Sequence, residues 1–157
     1  MPTIEELRKT RLEKLKRLED AGLLAYPAKT KRTHRIAEAL KDFAKLSKSK
    51  KSIVLAGRIM AKRGQGGLTF LDINDGSQKI QGLIKADKLG ERGCKFFSDV
   101  FDIGDFVEIR GTLFTTKKGE KTIEAERIGS IEYLSIIFRI SAQRRPNTNK
   151  KVNSRNI

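Results

Sequence analysis

Leu55-Ala-Gly-Arg-Ile-Met-Ala-Lys-Arg-Gly-Gln-Gly-Gly-Leu-Thr-Phe-Leu-Asp-Ile-Asn-Asp-Gly-Ser-Gln-Lys-Ile-Gln81 is the stretch on which the reading of this chain turns. Two strand-like runs flank a basic, glycine-rich loop. In the second run, Leu68 to Asn74, strict alternation places Leu71 and Ile73 on one face and Phe70, Asp72 and Asn74 on the other. A phenylalanine grouped with Asp and Asn on a solvent-side face calls for a partner. In a chain of formal charge +15, an unpaired nucleobase stacking on that ring is a good candidate.

Working outward from there, the sequence offers five strand candidates: Ile53 to Lys62, Leu68 to Asn74, Lys79 to Ile84, Phe106 to Phe114 and Lys121 to Ile128. Asn74-Asp-Gly-Ser77 and Lys117-Lys-Gly-Glu120 supply turn chemistry for two hairpins. Between the third and fourth candidates, Gly93 to Phe101 clusters aromatics at helical spacing. Five strands with a helix between the third and fourth is the order of an OB-fold, a Greek-key β-barrel that binds oligonucleotides on its central strands and loops.

Ahead of the barrel, Thr3 to Leu24 has helical periodicity. Thr3 and Glu6 have the spacing of a capping box, and Leu12, Leu15 and Leu18 form a stripe among Arg8, Lys9, Arg11, Lys14, Lys16 and Arg17. This helix either packs its leucines on the domain or also touches an RNA backbone, and the two are compatible. Ile36, Leu40 and Phe43 mark a second short helix, and Ser47 to Ser52 reads as a polar linker. The expected organisation is a helical extension over 1–47, the barrel over 48–130, and a basic tail over 131–157. No acidic residue follows Glu132, so the tail is expected to be disordered.

Bulk composition narrows the function classes. Lys and Arg number 34 against 19 acidic residues, which favours a polyanionic partner. No apolar run approaches the roughly 20 residues of a membrane span, and the first residues lack a secretory pattern, so the expected compartment is the cytoplasm. Cys94 and His34 are each the only residue of their type, which leaves no ligand pair for a Cys/His zinc site. Cys94 reads as a structural thiol and His34 as a surface or capping residue.

The central run resembles the anticodon-binding domain of class II aminoacyl-tRNA synthetases of the lysyl, aspartyl and asparaginyl group. Within that group it is most similar to the lysyl-tRNA synthetases. Arg63, Phe70 and Gln81 match the positions from which that family holds the central anticodon base, a uridine. Gly-Thr-Leu-Phe-Thr-Thr-Lys-Lys-Gly-Glu120 resembles the family's fourth-to-fifth strand hairpin, whose glutamate (Glu120 here) belongs to the same site. The pattern Arg-Leu-Glu-Lys-Leu followed by Ala-Gly and Ala-Tyr-Pro resembles the lysyl family's N-terminal extension. The likeness runs from about Arg11 to about Ile128 and fails beyond about Ile131.

The resemblance implies that Phe70 stacks on the base while Arg63 and Gln81 bond its edge, and that Glu120 accepts a base N–H or a ribose hydroxyl. Arg58, Lys62, Lys79, Lys117 and Lys118 are candidate phosphate contacts. It also implies lysine tRNA as partner and a homodimer. ATP and magnesium serve the family's catalytic domain, whose motifs have no counterpart in this chain, so no cofactor and no catalysis are expected of the chain alone. A truncated or frame-disrupted synthetase is the favoured explanation of the tail, a native basic arm the other. Two rival readings remain: a general single-stranded RNA- or DNA-binding OB protein, and a dimerisation module built on the leucine stripe.

Overall fold

The computed structural model describes residues 1–22, 29–65 and 67–129. The tail from 131 onward, and with it the expectation of disorder there, lies outside the described residues. Five strands close a barrel in the order β1-β2-β3-β5-β4: β1 (Ile53–Gln65), β2 (Leu68–Asn74), β3 (Lys79–Lys85), β4 (Phe106–Thr115) and β5 (Lys121–Gly129). Every neighbouring pair is antiparallel except β3 with β5, which run parallel across the closure. This is the expected OB-fold.

The alternation proposed for β2 holds, for Leu71 and Ile73 are fully buried while Phe70, Asp72 and Asn74 are only half-buried. Inward residues of the other strands, among them Leu55, Ile59, Ile84, Ile109 and Ile123, complete one core with Leu71 and Ile73. Where β4 bends over β5, a register shift falls between Arg110 and Gly111. A Cβ on Gly111 would come within 1.9 Å of the Glu124 carbonyl oxygen, so only glycine lets the two backbones approach this closely.

A second irregularity sets up the functional face. In the first half of β1 the odd-numbered residues Ile53, Leu55 and Ile59 point into the barrel. A register shift between Ile59 and Ala61 inserts Met60 as an extra residue and reverses that parity. Beyond it Lys62 pairs with the core residue Leu71, and Arg63 pairs with Phe70. The strand therefore runs three residues past Lys62. Much of the glycine-rich stretch expected as a loop between the first two strands thus belongs to β1, and Gly67, just ahead of β2, has φ +80°.

The helices dock on this barrel unequally. α1 (Ile4–Asp20) begins with the anticipated capping box: the Thr3 hydroxyl accepts from Glu6 N–H and the Glu6 carboxylate accepts from Thr3 N–H. None of its residues is buried, and of the leucine stripe only Leu18 packs against the core, while Leu12 is exposed. Ion pairs from Arg11 to Asp105 and from Lys14 to Asp102 tie it to the loop before β4.

The expected second helix is two, α2 (Ile36–Lys41) and α3 (Phe43–Ser49), broken at Asp42. The presumed linker at Ser47 to Ser52 begins inside α3. Ile36, Ala39 and Phe43 belong to the barrel core, so these helices are part of the domain rather than an appendage. Asp75 explains how α2 is seated, because its Oδ2 accepts from Ile36 N–H at 2.8 Å and caps the helix from the β2–β3 turn. His34 does not cap; its Nδ1 meets the Thr33 hydroxyl at 2.7 Å. Between β3 and β4 lie α4 (Ala86–Leu89) and α5 (Glu91–Val100), the first of which has no periodic signal to betray it. Cys94 is half-buried on α5 against the core, and burial raises its thiol pKa, which suits a structural thiol.

Candidate nucleic-acid interface

Arg63, Phe70, Gln81 and Glu120, three residues from β1, β2 and β3 and one from the β4–β5 turn just ahead of β5, line one groove of about 960 Å³. They come together by register. Arg63 stands opposite Phe70, Asp72 opposite Gln81, and Gln81 opposite Thr122. Arg63, Phe70 and Gln81 face outward from their strands, so the barrel wall presents them side by side, with the exposed Glu120 at its edge.

A hydrogen-bonded chain holds the polar members. The Arg63 Nη2 lies 3.3 Å from Asp72 Oδ1 and 3.5 Å from Gln81 Oε1. Gln81 Nε2 donates to the Thr122 hydroxyl at 3.1 Å, and that hydroxyl donates to the Glu120 carbonyl at 3.1 Å. Asp72 also draws Lys79, whose Nζ is 3.8 Å from Oδ2. Among the described residues no ring or cation stacks on Phe70. Among them, too, the exposed Glu120 carboxylate forms no ion pair. The groove thus offers a free aromatic face, a guanidinium held in place, an amide and an unpaired acceptor.

Its charge is lopsided: the lining includes five basic residues, Arg63, Lys79, Lys117, Lys118 and Lys121, against Asp72 and Glu120. Such a wall attracts phosphates, while the two carboxylates and the amide can select what hydrogen-bonds between them. Of the proposed phosphate contacts, Lys79, Lys117 and Lys118 line the groove, but Arg58 and Lys62 do not. Arg58 lies over the Phe106 ring at 5.0 Å and donates to the Gly104 carbonyl. Lys62 donates to the carbonyls of Ser98 and Phe101 at the C-terminal end of α5, with its ammonium 5.5 Å from the Phe97 ring. Burial lowers its pKa below the ordinary value, with Asp102 opposing the shift. The parity reversal in β1 is the physical reason: it sends Lys62 inward and Arg63 outward.

Two residues of the network were not singled out from sequence. Asp72 had been placed on the right face without a role. Thr122 is fully buried, and a threonine in a strand carries no sequence signal that separates a bonded hydroxyl from ordinary β-propensity.

A closed five-stranded barrel with an aromatic, basic groove across its central strands is the architecture of an oligonucleotide-binding module. The family model of the OB-fold nucleic acid binding domain matches residues 53–131, and the chain belongs to that family. It is 43% identical over 120 residues to a lysine–tRNA ligase of Carboxydothermus hydrogenoformans, an alignment covering 76% of this chain and 24% of that protein. A lysine–tRNA ligase of Pelotomaculum thermopropionicum is 37% identical over 123 residues, 78% of this chain and 24% of its own length. One from Roseiflexus sp. is 39% identical over 127 residues, with 80% and 26% covered. The chain spans about a quarter of the length of these curated relatives. No described helix is long and apolar enough to cross a membrane.

Proposed function

We propose that this chain binds the anticodon loop of a tRNA, lysine tRNA being the partner its relatives' names point to, and that the groove is where the central anticodon base sits. The observation that carries this reading is the convergence of Arg63, Phe70, Gln81 and Glu120, far apart in sequence, on one basic groove. Phe70 supplies a stacking face, an interaction of about 1–3 kcal/mol per base. Arg63 has only donors and suits a uridine carbonyl, and Gln81 meets the adjacent N–H. Glu120, acceptor-only when ionised, takes a base N–H or a ribose hydroxyl. Lys79, Lys117 and Lys118 neutralise phosphates on either side without reading sequence.

On this reading the chain alone binds RNA in the cytoplasm and needs neither ATP nor magnesium. Lysine- and ATP-dependent pyrophosphate exchange that survives repurification would refute that part. A homodimer, expected from the resemblance, is tested by sedimentation. The binding itself is tested by titrating the protein with a lysine anticodon stem-loop at several salt concentrations. With about three to five phosphates neutralised, log affinity should fall against log salt with a slope of about −2 to −3.5. A flat plot would remove RNA from the account. Equal affinity for any base at the central position would replace anticodon reading with general single-strand binding.

A further inference from the structure

The amide of Gln81 has two ends, one a donor and one an acceptor, and which end faces a bound base decides what it selects. Two neighbours settle the matter from opposite sides. Thr122 lies directly across from Gln81 in the parallel β3–β5 pairing and is fully buried. Its hydroxyl has one proton, and the Glu120 carbonyl takes it at 3.1 Å. The oxygen therefore offers only lone pairs to Gln81 and receives Nε2–H at 3.1 Å. On the other side stands Arg63, which only donates and lies 3.5 Å from Oε1. A flipped amide would set Nε2 against the Arg63 donors. It would also leave Oε1 facing a hydroxyl whose proton is already committed.

We infer that Thr122 is a positioning residue for base selectivity: by fixing the Gln81 amide it presents an acceptor, Oε1, beside the Arg63 donors. This rests on the base-binding reading above and deepens it. For a base stacked on Phe70 in one register, the edge must then show a donor next to an acceptor. Uridine does so with N3–H beside a carbonyl. Cytidine places a lone pair at N3, against the lone pairs of Oε1. Stacking and phosphate attraction treat the two pyrimidines alike, so the preference between them rests on the edge contacts, one of which is an amide that Thr122 orients. Without the hydroxyl, Nε2 loses its fixed acceptor, and only the longer 3.5 Å contact with Arg63 still opposes turning the amide's donor to cytidine N3.

The test compares the parent, Thr122→Val (which keeps the β-branch and removes the hydroxyl) and Thr122→Ser (which keeps the hydroxyl). Each is titrated with stem-loops carrying uridine or cytidine at the centre, with melting in parallel. The uridine-to-cytidine affinity ratio should drop about three- to tenfold in the valine variant, the worth of one hydrogen bond, and should stay near the parent's in the serine variant. A valine variant that keeps the parent ratio, or a serine variant that loses as much, overturns the inference and leaves RNA binding intact. A parent that binds both loops equally brings down the base-reading proposal itself. A measurement on the parent guards against a valine variant that does not fold: NMR should show one Gln81 Nε2 proton exchanging slowly with water. Exchange of both at the rate of a free amide would contradict the fixed orientation.

Discussion

Lys62 and Arg63 are consecutive residues of one strand, yet they belong to different regions of the barrel. At the end covered by α5, two cations of β1 are spent on the fold: Lys62 on helix-end carbonyls and the Phe97 ring, Arg58 on Gly104 and Phe106. In the groove, Arg63 is steadied by Asp72 and Gln81 but stays exposed, and Phe70 keeps an open face. The difference shows that a basic residue on an OB-fold is not evidence of RNA contact until its strand parity is known. One inserted residue, Met60, decides which of two adjacent cations faces the groove.

The contrast breaks most visibly at the neighbouring pair Leu71 and Phe70. Leu71→Ala empties a fully buried core position and should cost about 2–5 kcal/mol of stability. Denaturant melts would check this. A loss under about 1 kcal/mol would mean that the inward face is not packed as described.

A smaller effect is expected at Asp75, which belongs to neither region but joins α2 to the barrel. Burial pushes its carboxyl pKa up, but hydrogen bonds from the Ser77 side chain and from the N–H groups of Ile36, Ser77 and Gln78 outweigh that and hold it below the ordinary 3.8. The unfolded chain then binds the proton more readily than the folded one. The stabilisation is therefore complete above about pH 3.8 and is lost as pH falls through the lower folded value. Asp75→Ala should lose about 0.5–2 kcal/mol near pH 7, as for a helix cap. Melts repeated down the acid range should show the gap to the parent closing, and a gap that ignores pH would contradict the assignment.

The smallest change sharpens the comparison directly. Lys62→Met removes the cation at the end of α5 while leaving its apolar stem over Phe97. It should cost about 1 kcal/mol of stability, a charged hydrogen bond partly offset by relief of burial. RNA affinity should stay within about twofold. A tenfold loss of affinity in a folded variant would return Lys62 to the interface.

Much of this was legible in the sequence because the signals were local and periodic. The alternation in Leu68 to Asn74, the two turn tetrapeptides and the Thr3–Glu6 spacing each rest on residues within a few positions of one another, and the strands, hairpins and first helix cap follow. The grouping of Phe70, Arg63, Gln81 and Glu120 was legible only through the family resemblance, since no periodicity brings three separate strands and a turn to one groove. What stayed hidden depends on long-range register. The bulge at Met60 has no sequence signature, so the extension of β1 and the divergent fates of Lys62 and Arg63 could not be read. Nor could the seating of α2 on Asp75, 39 positions away, or the hydroxyl of Thr122 opposite Gln81.

The central claim is that Phe70 faces a base rather than the core, and a single substitution tests it. Phe70→Ala would be titrated against an anticodon stem-loop with a central uridine, with a denaturant melt of the same preparation. The account predicts an affinity loss of about 1–3 kcal/mol, roughly 5- to 150-fold, with a smaller loss of stability than Leu71→Ala suffers. A variant that unfolds, or one that stays folded and binds the loop as tightly as the parent, would contradict it.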